Sequence, residues 1–299
     1  MSLSRTRQGD LLVLIQAVLY ASFPIAAVAS YKTITPFHSL FYSSVFTAGL
    51  FFLLFCFRPK WREFLIPGVF KELLLVSLFI GVGFYGLFFL ALKYTTAGNA
   101  SLIALMEIFY NYLFFHVWKK EHLDKGHITG GLLMLLGVVM VLFNEVSTPK
   151  IGDIIILFAA MLPPLGNYYQ QKLRKKVSTQ TVLFGRSILT LPFLALFVPI
   201  FGESLAPSVD KGVWIFLLLN GVVFLGISKI FWLEGIHRIS VTKASILGSI
   251  SPAFTLLLAA FFLKQPPNFW QILAFLPLGI GLWFLTSKKT IDEAEMESI

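Results

Sequence analysis

The sequence predicts an all-α polytopic membrane protein: ten transmembrane helices arranged as two inverted five-helix repeats. Three observations carry this. Hydrophobic residues make up 57% of the 299 residues and charged residues only 13%, against about 25% charged in an ordinary soluble domain. The apolar residues fall in near-continuous runs of span length. Short matching segments recur at a constant offset. The composition excludes a soluble globular enzyme and a disordered chain.

A helix needs about 20 mostly apolar residues to cross the hydrocarbon core. Spans 1, 2 and 3 are read at 11–30, 33–57 and 73–92, without Asp, Glu, Lys or Arg. Span 4, at 94–118, carries Glu107. Spans 5 and 6, at 127–144 and 154–171, are the shortest. Span 7, at 177–202, carries Arg186, and span 8, at 212–236, carries Lys229 and Glu234. Spans 9 and 10 follow at 244–263 and 265–287. Continuous apolar runs disfavour a β-barrel, whose strands alternate apolar and polar. Arg5, Arg7 and Ala27-Val28-Ala29 imitate a secretory leader. The run between them is span-length and has a second-half counterpart, so a first span is expected.

Basic residues orient the spans. With the N-terminus inside, seventeen of the 24 Lys and Arg residues fall on the inner side. Five fall outside: Lys32, Lys93, Lys150, Lys211 and Lys264. Arg186 and Lys229 remain within spans. The net charge of +9 is then topology, and no nucleic-acid partner is implied. Both termini are expected in the cytoplasm of a plasma (inner) membrane protein. The bilayer itself is the expected partner.

The repeat shows in paired segments. Gly9-Asp10 opens span 1 and Gly152-Asp153 opens span 6, at an offset of 143. Thr35 and Ser178 keep it. Ala100-Ser101 and Ala244-Ser245 stand 144 apart, as do Leu113 and Leu257, Ile128 and Ile272, and Gly137 and Gly281. Five spans per repeat is odd, so the second repeat must sit upside down. The expected units are 1–146, 147–288 and an acidic cytoplasmic tail, 289–299. Inverted repeats are a transporter architecture.

The pairing also carries a family resemblance. Ala-Ser-Leu-Ile at 100–103 leads to Met106-Glu107-Ile108 and Glu121, and Ala-Ser-Ile-Leu at 244–247 leads to Ser251-Pro252 and Gln265. The chain resembles the EamA branch of the drug/metabolite transporter superfamily over about residues 8–288. That family pairs Glu with Pro mid-helix, with a second Glu beyond. Here Ile108 replaces the Pro of the first repeat, and Ser251 and Gln265 replace the acids of the second. Arg186 matches a family Arg, while its first-half counterpart is Ser43. The resemblance implies a central cavity, helices 5 and 10 packed outside, and secondary transport of small metabolites, often amino-acid export.

Glu107 is the leading candidate. It lies about 16 Å from the end of its span by helical rise, where a carboxylate must be paired, protonated or wet. Asn111 is one turn along the same face and Tyr110 is adjacent, making a polar stripe. Glu107 could hold a substrate ammonium or couple a proton. The alternative is a packed structural acid. Arg186 and Lys229 could bind a substrate carboxylate, or snorkel to the interface. Lys229 could also pair with Glu234, itself expected at the interface. Pro163 and Pro164 interrupt span 6, and Pro24 the matching region of span 1; Pro252 does the same in span 9. Interrupted helices at matching places point to a binding site, which makes Gln16, Tyr20, Asn167 and Tyr168 cavity candidates. The alternatives are kinks without ligand contact and aromatic packing. Gly81, Gly83, Gly86, Gly130 and Gly131 are expected at close helix contacts.

No P-loop and no His-Glu-x-x-His pair is present, and Cys56 stands alone. Gly81-x-Gly83-x-x-Gly86 lies inside a span and is no dinucleotide loop. The five histidines are expected near interfaces. The combined reading is a secondary carrier without cofactor or metal, not an enzyme. Its cavity is expected between helices 1, 3, 4, 6, 8 and 9, for a small-molecule substrate and working by alternating access. The alternatives are an uptake carrier for a nucleotide derivative or vitamin, and a non-transporting membrane protein.

Overall fold

A computed structural model describes residues 4–119, 125–142, 150–200 and 208–286. Every regular element among them is helical. The first half contains α1 (Arg5–Tyr20), α2 (Phe23–Ser30), α3 (Pro36–Phe57), α4 (Val69–Val76), α5 (Tyr85–Leu92), α6 (Ala97–Ile103), α7 (Met106–Lys119) and α8 (Lys125–Leu142). The second contains α9 (Ile151–Ala159), α10 (Leu162–Arg174), α11 (Thr179–Ile200), α12 (Lys211–Leu218), α13 (Ser228–Ile236), α14 (Val241–Gly248), α15 (Ser251–Leu263) and α16 (Phe269–Thr286).

Seven stretches are long and apolar enough to cross a membrane: Arg5–Ser30, Pro36–Phe57, Val69–Leu92, Ile151–Arg174, Thr179–Ile200, Lys211–Ile236 and Lys243–Leu263. Two shorter apolar helices, Ile128–Leu142 and Phe269–Phe284, and the α6–α7 pair occupy the other three regions. The outside of the bundle is apolar: Phe57 is 83% exposed and Phe261 80%, a surface suited to lipid and not to water. The expected tail, Glu121 and the side chains of His116, His122 and His127 lie outside the described residues.

Four stretches are interrupted. α1 stops at Tyr20 and α2 restarts with Pro24 in its first turn. α9 gives way at Ala160-Met161 to α10, with Pro163 and Pro164 in the first turn. α14 gives way at Ser249-Ile250 to α15, with Pro252 in its first turn. Proline lacks an N–H and favours the start of a helix, so each break sits just ahead of its proline. The fourth break, at Ala104-Leu105 between α6 and α7, has no proline. Span 4 is therefore two helices, where the sequence reads as one.

Two further stretches widen in the middle. π-type turns run over Ser77–Phe84, joining α4 to α5, and over Leu219–Ile227, joining α12 to α13. Such turns loosen the ladder and free carbonyls. Thr47 Oγ1 donates to the Gly221 carbonyl at 2.7 Å, tying α3 to the second π segment. Ser77 Oγ, in the first, donates to the Arg186 carbonyl on α11 at 3.0 Å. A Cβ on Gly221 would meet the Ser43 carbonyl at 2.3 Å, so only glycine allows this approach. Gly81 likewise lies against Thr190 and Gly131 against Phe109, but Gly86 faces open space, against expectation.

Span 10 begins later than the charge-free run suggests. Pro266 and Pro267 keep 265–268 out of helix. α16 then starts behind a reciprocal cap: Asn268 Oδ1 accepts from the Gln271 N–H at 2.8 Å, and Gln271 Oε1 accepts from the Asn268 N–H at 2.9 Å. α16 packs along α8, where Gly281 closes on the Gly130 carbonyl. His38 departs from its expected interfacial place. It is 3% exposed, packed where Thr35 caps α3.

The end that carries the basic loops is tied by ion pairs. Lys243 Nζ lies 3.0 Å from Asp10, Arg174 3.1 Å from Glu234, and Lys176 2.9 Å from Glu72. Glu234 also takes Arg238 at 2.5 Å, so Lys229 is not its partner.

Candidate functional site

The four helix breaks surround a central cavity of about 130 Å³. Each break brings the N-terminal turn of α2, α7, α10 or α15 to the cavity wall. Glu107 stands in the first turn of α7, where the helix dipole favours a carboxylate. The π segments matter as well: Ile80 and Phe84 reach the cavity from the first, Tyr85 directly follows it, and Lys229 follows the second.

The polar groups of the wall form one connected chain. Glu107 Oε1 accepts from Asn167 Nδ2 at 3.1 Å and from Ser245 Oγ at 3.5 Å. Asn167 Oδ1 accepts from Gln170 Nε2 at 2.9 Å and from Trp232 Nε1 at 3.2 Å. Gln170 Oε1 in turn accepts from Arg186 at 3.2 Å. Two amides thus join the carboxylate to the guanidinium. A carboxylate only accepts and a guanidinium only donates, so the ends of the chain fix which way both amides face.

Lys229 has a different environment. Its Nζ sits 3.6 Å from the centre of the Tyr20 ring and 5.9 Å from that of Tyr85. Aromatic faces attract a cation without neutralising it. Both cations are buried, Arg186 at 5% and Lys229 at 8% exposure. Neither forms an ion pair within 4 Å among the described residues. Arg186 therefore does not snorkel to the interface. The cavity wall thus sets two buried basic side chains against one acidic one.

Of the residues singled out in the sequence, Gln16, Tyr20, Pro24, Glu107, Pro163, Asn167, Arg186, Lys229 and Pro252 line this cavity. Four others do not. Asn111 is fully buried one turn beyond Glu107, and its side-chain atoms have no hydrogen-bond partner among the described residues. α7 packs on α10 and α14, and Asn111 is not part of the cavity lining. Tyr110 packs against Phe109, with ring centres 5.8 Å apart. Tyr168, one residue from Asn167, is turned about 100° round the helix and meets the edge of Tyr169 at 5.3 Å. Pro164 makes the break without reaching the cavity.

Sequence reasoning misses Tyr85, Gln170, Trp232, Ser245 and Ser249, which all line the wall. A signal exists for two of them. Gln170 stands three residues from Asn167, and Trp232 three from Lys229, the spacing that puts residues on one helix face. The cavity also has a wall that was not expected, α11, which contributes Arg186.

Both halves of the chain, residues 7–143 and 150–287, match the sequence profile of the EamA-like transporter family. The chain belongs to this family. The EamA profile thus occurs twice, as the paired segments require, and the protein is a membrane transporter. Its relatives include an uncharacterized transporter of Archaeoglobus fulgidus, 22% identical over 93% of this chain and 97% of its own length. Two more come from Bacillus subtilis (strain 168). The uncharacterized transporter YoaV is 25% identical over 79% of this chain and 82% of its own. The uncharacterized transporter YyaM is 24% identical over 68% and 69%. A solved crystal structure superposes with a TM-score of 0.70 at 20% identity, covering 93% of this EamA chain and 96% of its own. That likeness concerns the fold.

Proposed function

We propose that this EamA transporter is a secondary carrier that exports a small metabolite bearing both an amine and a carboxylate, with amino acids as the leading class. The observation that carries the reading is the separation of charge in the cavity. Glu107 suits an ammonium group, and Arg186 and Lys229 suit a carboxylate. The volume of about 130 Å³ suits a molecule of few heavy atoms. Outward direction rests on the family resemblance.

In this reading ten helices cross a plasma (inner) membrane as two inverted repeats with both termini in the cytoplasm. The asymmetry of basic residues supports that orientation. Alternating access comes from rocking of the two repeats about the helix breaks, the places where the backbone is already uncoupled. Glu107 is also the group suited to proton exchange.

The excess of cations favours a second reading, uptake of a larger anion such as a nucleotide derivative or vitamin. The small cavity opposes it. Counterflow in proteoliposomes tests both. With labelled amino acids, wild-type flux is expected, and Glu107→Gln should lower it at least tenfold, about the worth of one charge-assisted contact. Equal flux in the variant makes Glu107 a structural acid. Absence of amino-acid flux, with flux of a nucleotide-like anion, replaces the first reading by the second.

A further inference from the structure

A second cavity, of about 740 Å³, opens between the ends of α3, α11 and α13, with the α10–α11 turn at its rim. It lies outside the ring of breaks and shares no residue with the central cavity. We propose that it binds an anionic phospholipid at the inner leaflet.

The first argument is charge. Five cations line the groove, Arg58, Lys60, Arg174, Lys175 and Lys176, against two carboxylates, Glu63 and Glu234. Both carboxylates are already engaged. Glu63 accepts from the Ser178 N–H and hydroxyl, each at 2.8 Å, and from Thr181 at 2.5 Å, with Lys60 3.5 Å away. Glu234 holds Arg174 and Arg238. Lys176 is held by Glu72. Arg58 and Lys175 remain exposed with no ion pair among the described residues. Arg174 Nε is buried with no hydrogen-bond partner among the described residues, though its other nitrogens are used.

The second argument is the floor. Beneath the cationic rim the groove is apolar, made by Phe51, Leu54, Leu183 and Ile230. A cationic rim over an apolar floor fits a phosphate with an acyl chain below it. A soluble polyanion would gain nothing from the floor. The third argument is depth. Trp61, beside Lys60, is 59% exposed and rests on Phe55 with ring centres 4.8 Å apart. Exposed tryptophan beside exposed Phe57 and Leu65 marks the headgroup level. Basic recesses between helices on this side suit anionic headgroups.

The test uses the full chain in detergent and native mass spectrometry. Phosphatidylglycerol and phosphatidylcholine of the same acyl length are offered to wild type, to R58Q/K175Q and to the control K32Q/K211Q. Wild type and control should retain phosphatidylglycerol preferentially. R58Q/K175Q should lose that preference by about fivefold for each charge removed. Equal retention in this variant, or no preference in wild type, overturns the proposal. Inorganic phosphate and glycerol 3-phosphate form the soluble arm: if either raises Tm as much as the lipid, the groove is an anion site and the lipid assignment fails. A photoactivatable phosphatidylglycerol reads the wild type directly, independent of how the variant folds. Labelling is expected near Arg58 and over 174–183, and labelling confined to other segments overturns the assignment.

Discussion

The two halves of the chain share a backbone plan and differ in chemistry. In each, the opening helix carries Gly-Asp in its first two turns and packs its glycine on the end of another helix: Gly9 meets Gly235, Arg238 and Ile239, and Gly152 meets Ala91, Tyr94 and Thr95. The aspartates that follow bind equivalent positions, but by different forces. Asp10 pairs with Lys243 at 3.0 Å in a part-exposed site. Asp153, 1% exposed, accepts from Thr95 and from Asn99 at 3.3 Å, and Asn99 in turn accepts from Gln271 at 2.6 Å. One latch is ionic and the other is a neutral-donor network. The cavity divides in the same way, with its carboxylate from the first half and its cations from the second. A duplicated fold keeps its hinges and close contacts while side chains at equivalent positions diverge.

The largest expected effect breaks this comparison at the cavity. Ser43 is the first-half counterpart of Arg186 by the sequence offset of 143. R186Q should raise the KM of counterflow by about ten- to a hundredfold, the loss of a charge-assisted contact. Ser43→Ala should leave flux unchanged and stability level or slightly higher, because Ser43 Oγ is buried without a partner among the described residues. A KM shift in the serine variant would show that the halves share substrate contact.

The next effect is steric. A Cβ at Gly152 would meet backbone, the Ala91 carbonyl at 2.6 Å, whereas one at Gly9 would meet side chains, Ile239 at 2.9 Å and Arg238 at 3.0 Å. Backbone cannot step aside. Gly152→Ala should cost about 3 kcal/mol and Gly9→Ala about 1 kcal/mol, read by thermal unfolding in detergent. Equal losses would mean that the first contact is as rigid as the second.

The latches come third. Asp153→Ala strands the buried Asn99 amide and the half-buried Thr95 hydroxyl and should cost about 1–3 kcal/mol, insensitive to salt. Asp10→Ala should cost about 0.2–1 kcal/mol, shrinking as salt rises. Unfolding at low and high ionic strength separates them.

The smallest effect is a pH dependence confined to the loop between α3 and α4. Partial burial pushes the Glu63 carboxyl up, but hydrogen bonds from Thr181 and Ser178, with Lys60 nearby, hold it below its ordinary 4.5. A depressed value in the fold gives stability that is present above pH 4.5 and lost as pH falls through the folded value. Glu63→Gln should flatten the acid limb of the stability profile and leave neutral pH little changed. An unchanged acid limb would remove Glu63 from the account.

Much of the fold is legible in the sequence because a bilayer makes strict demands. Apolar runs, basic loops and paired Gly-Asp segments are compositional or periodic, and three helix breaks announce themselves by proline. The break at Ala104-Leu105 carries no such mark; only its match within one residue, at the offset of 144, to the break at Ser249-Ile250 reveals it. Asn111 and Glu107 lie on one helix face, but only Glu107 reaches the cavity lining. Arg186 reads equally well as a snorkelling cation until α11 is seen to turn it inward.

Membrane insertion, the twofold repeat and the set of charged residues in need of an explanation follow from the sequence alone, since each depends on local composition. Which charges meet, which polar groups are left without partners and where space remains depend on packing between helices far apart in the chain. The relay from Glu107 through Asn167 and Gln170 to Arg186 joins three helices. Its distances exist only once those helices are packed, and that is why tertiary structure alone decided the site.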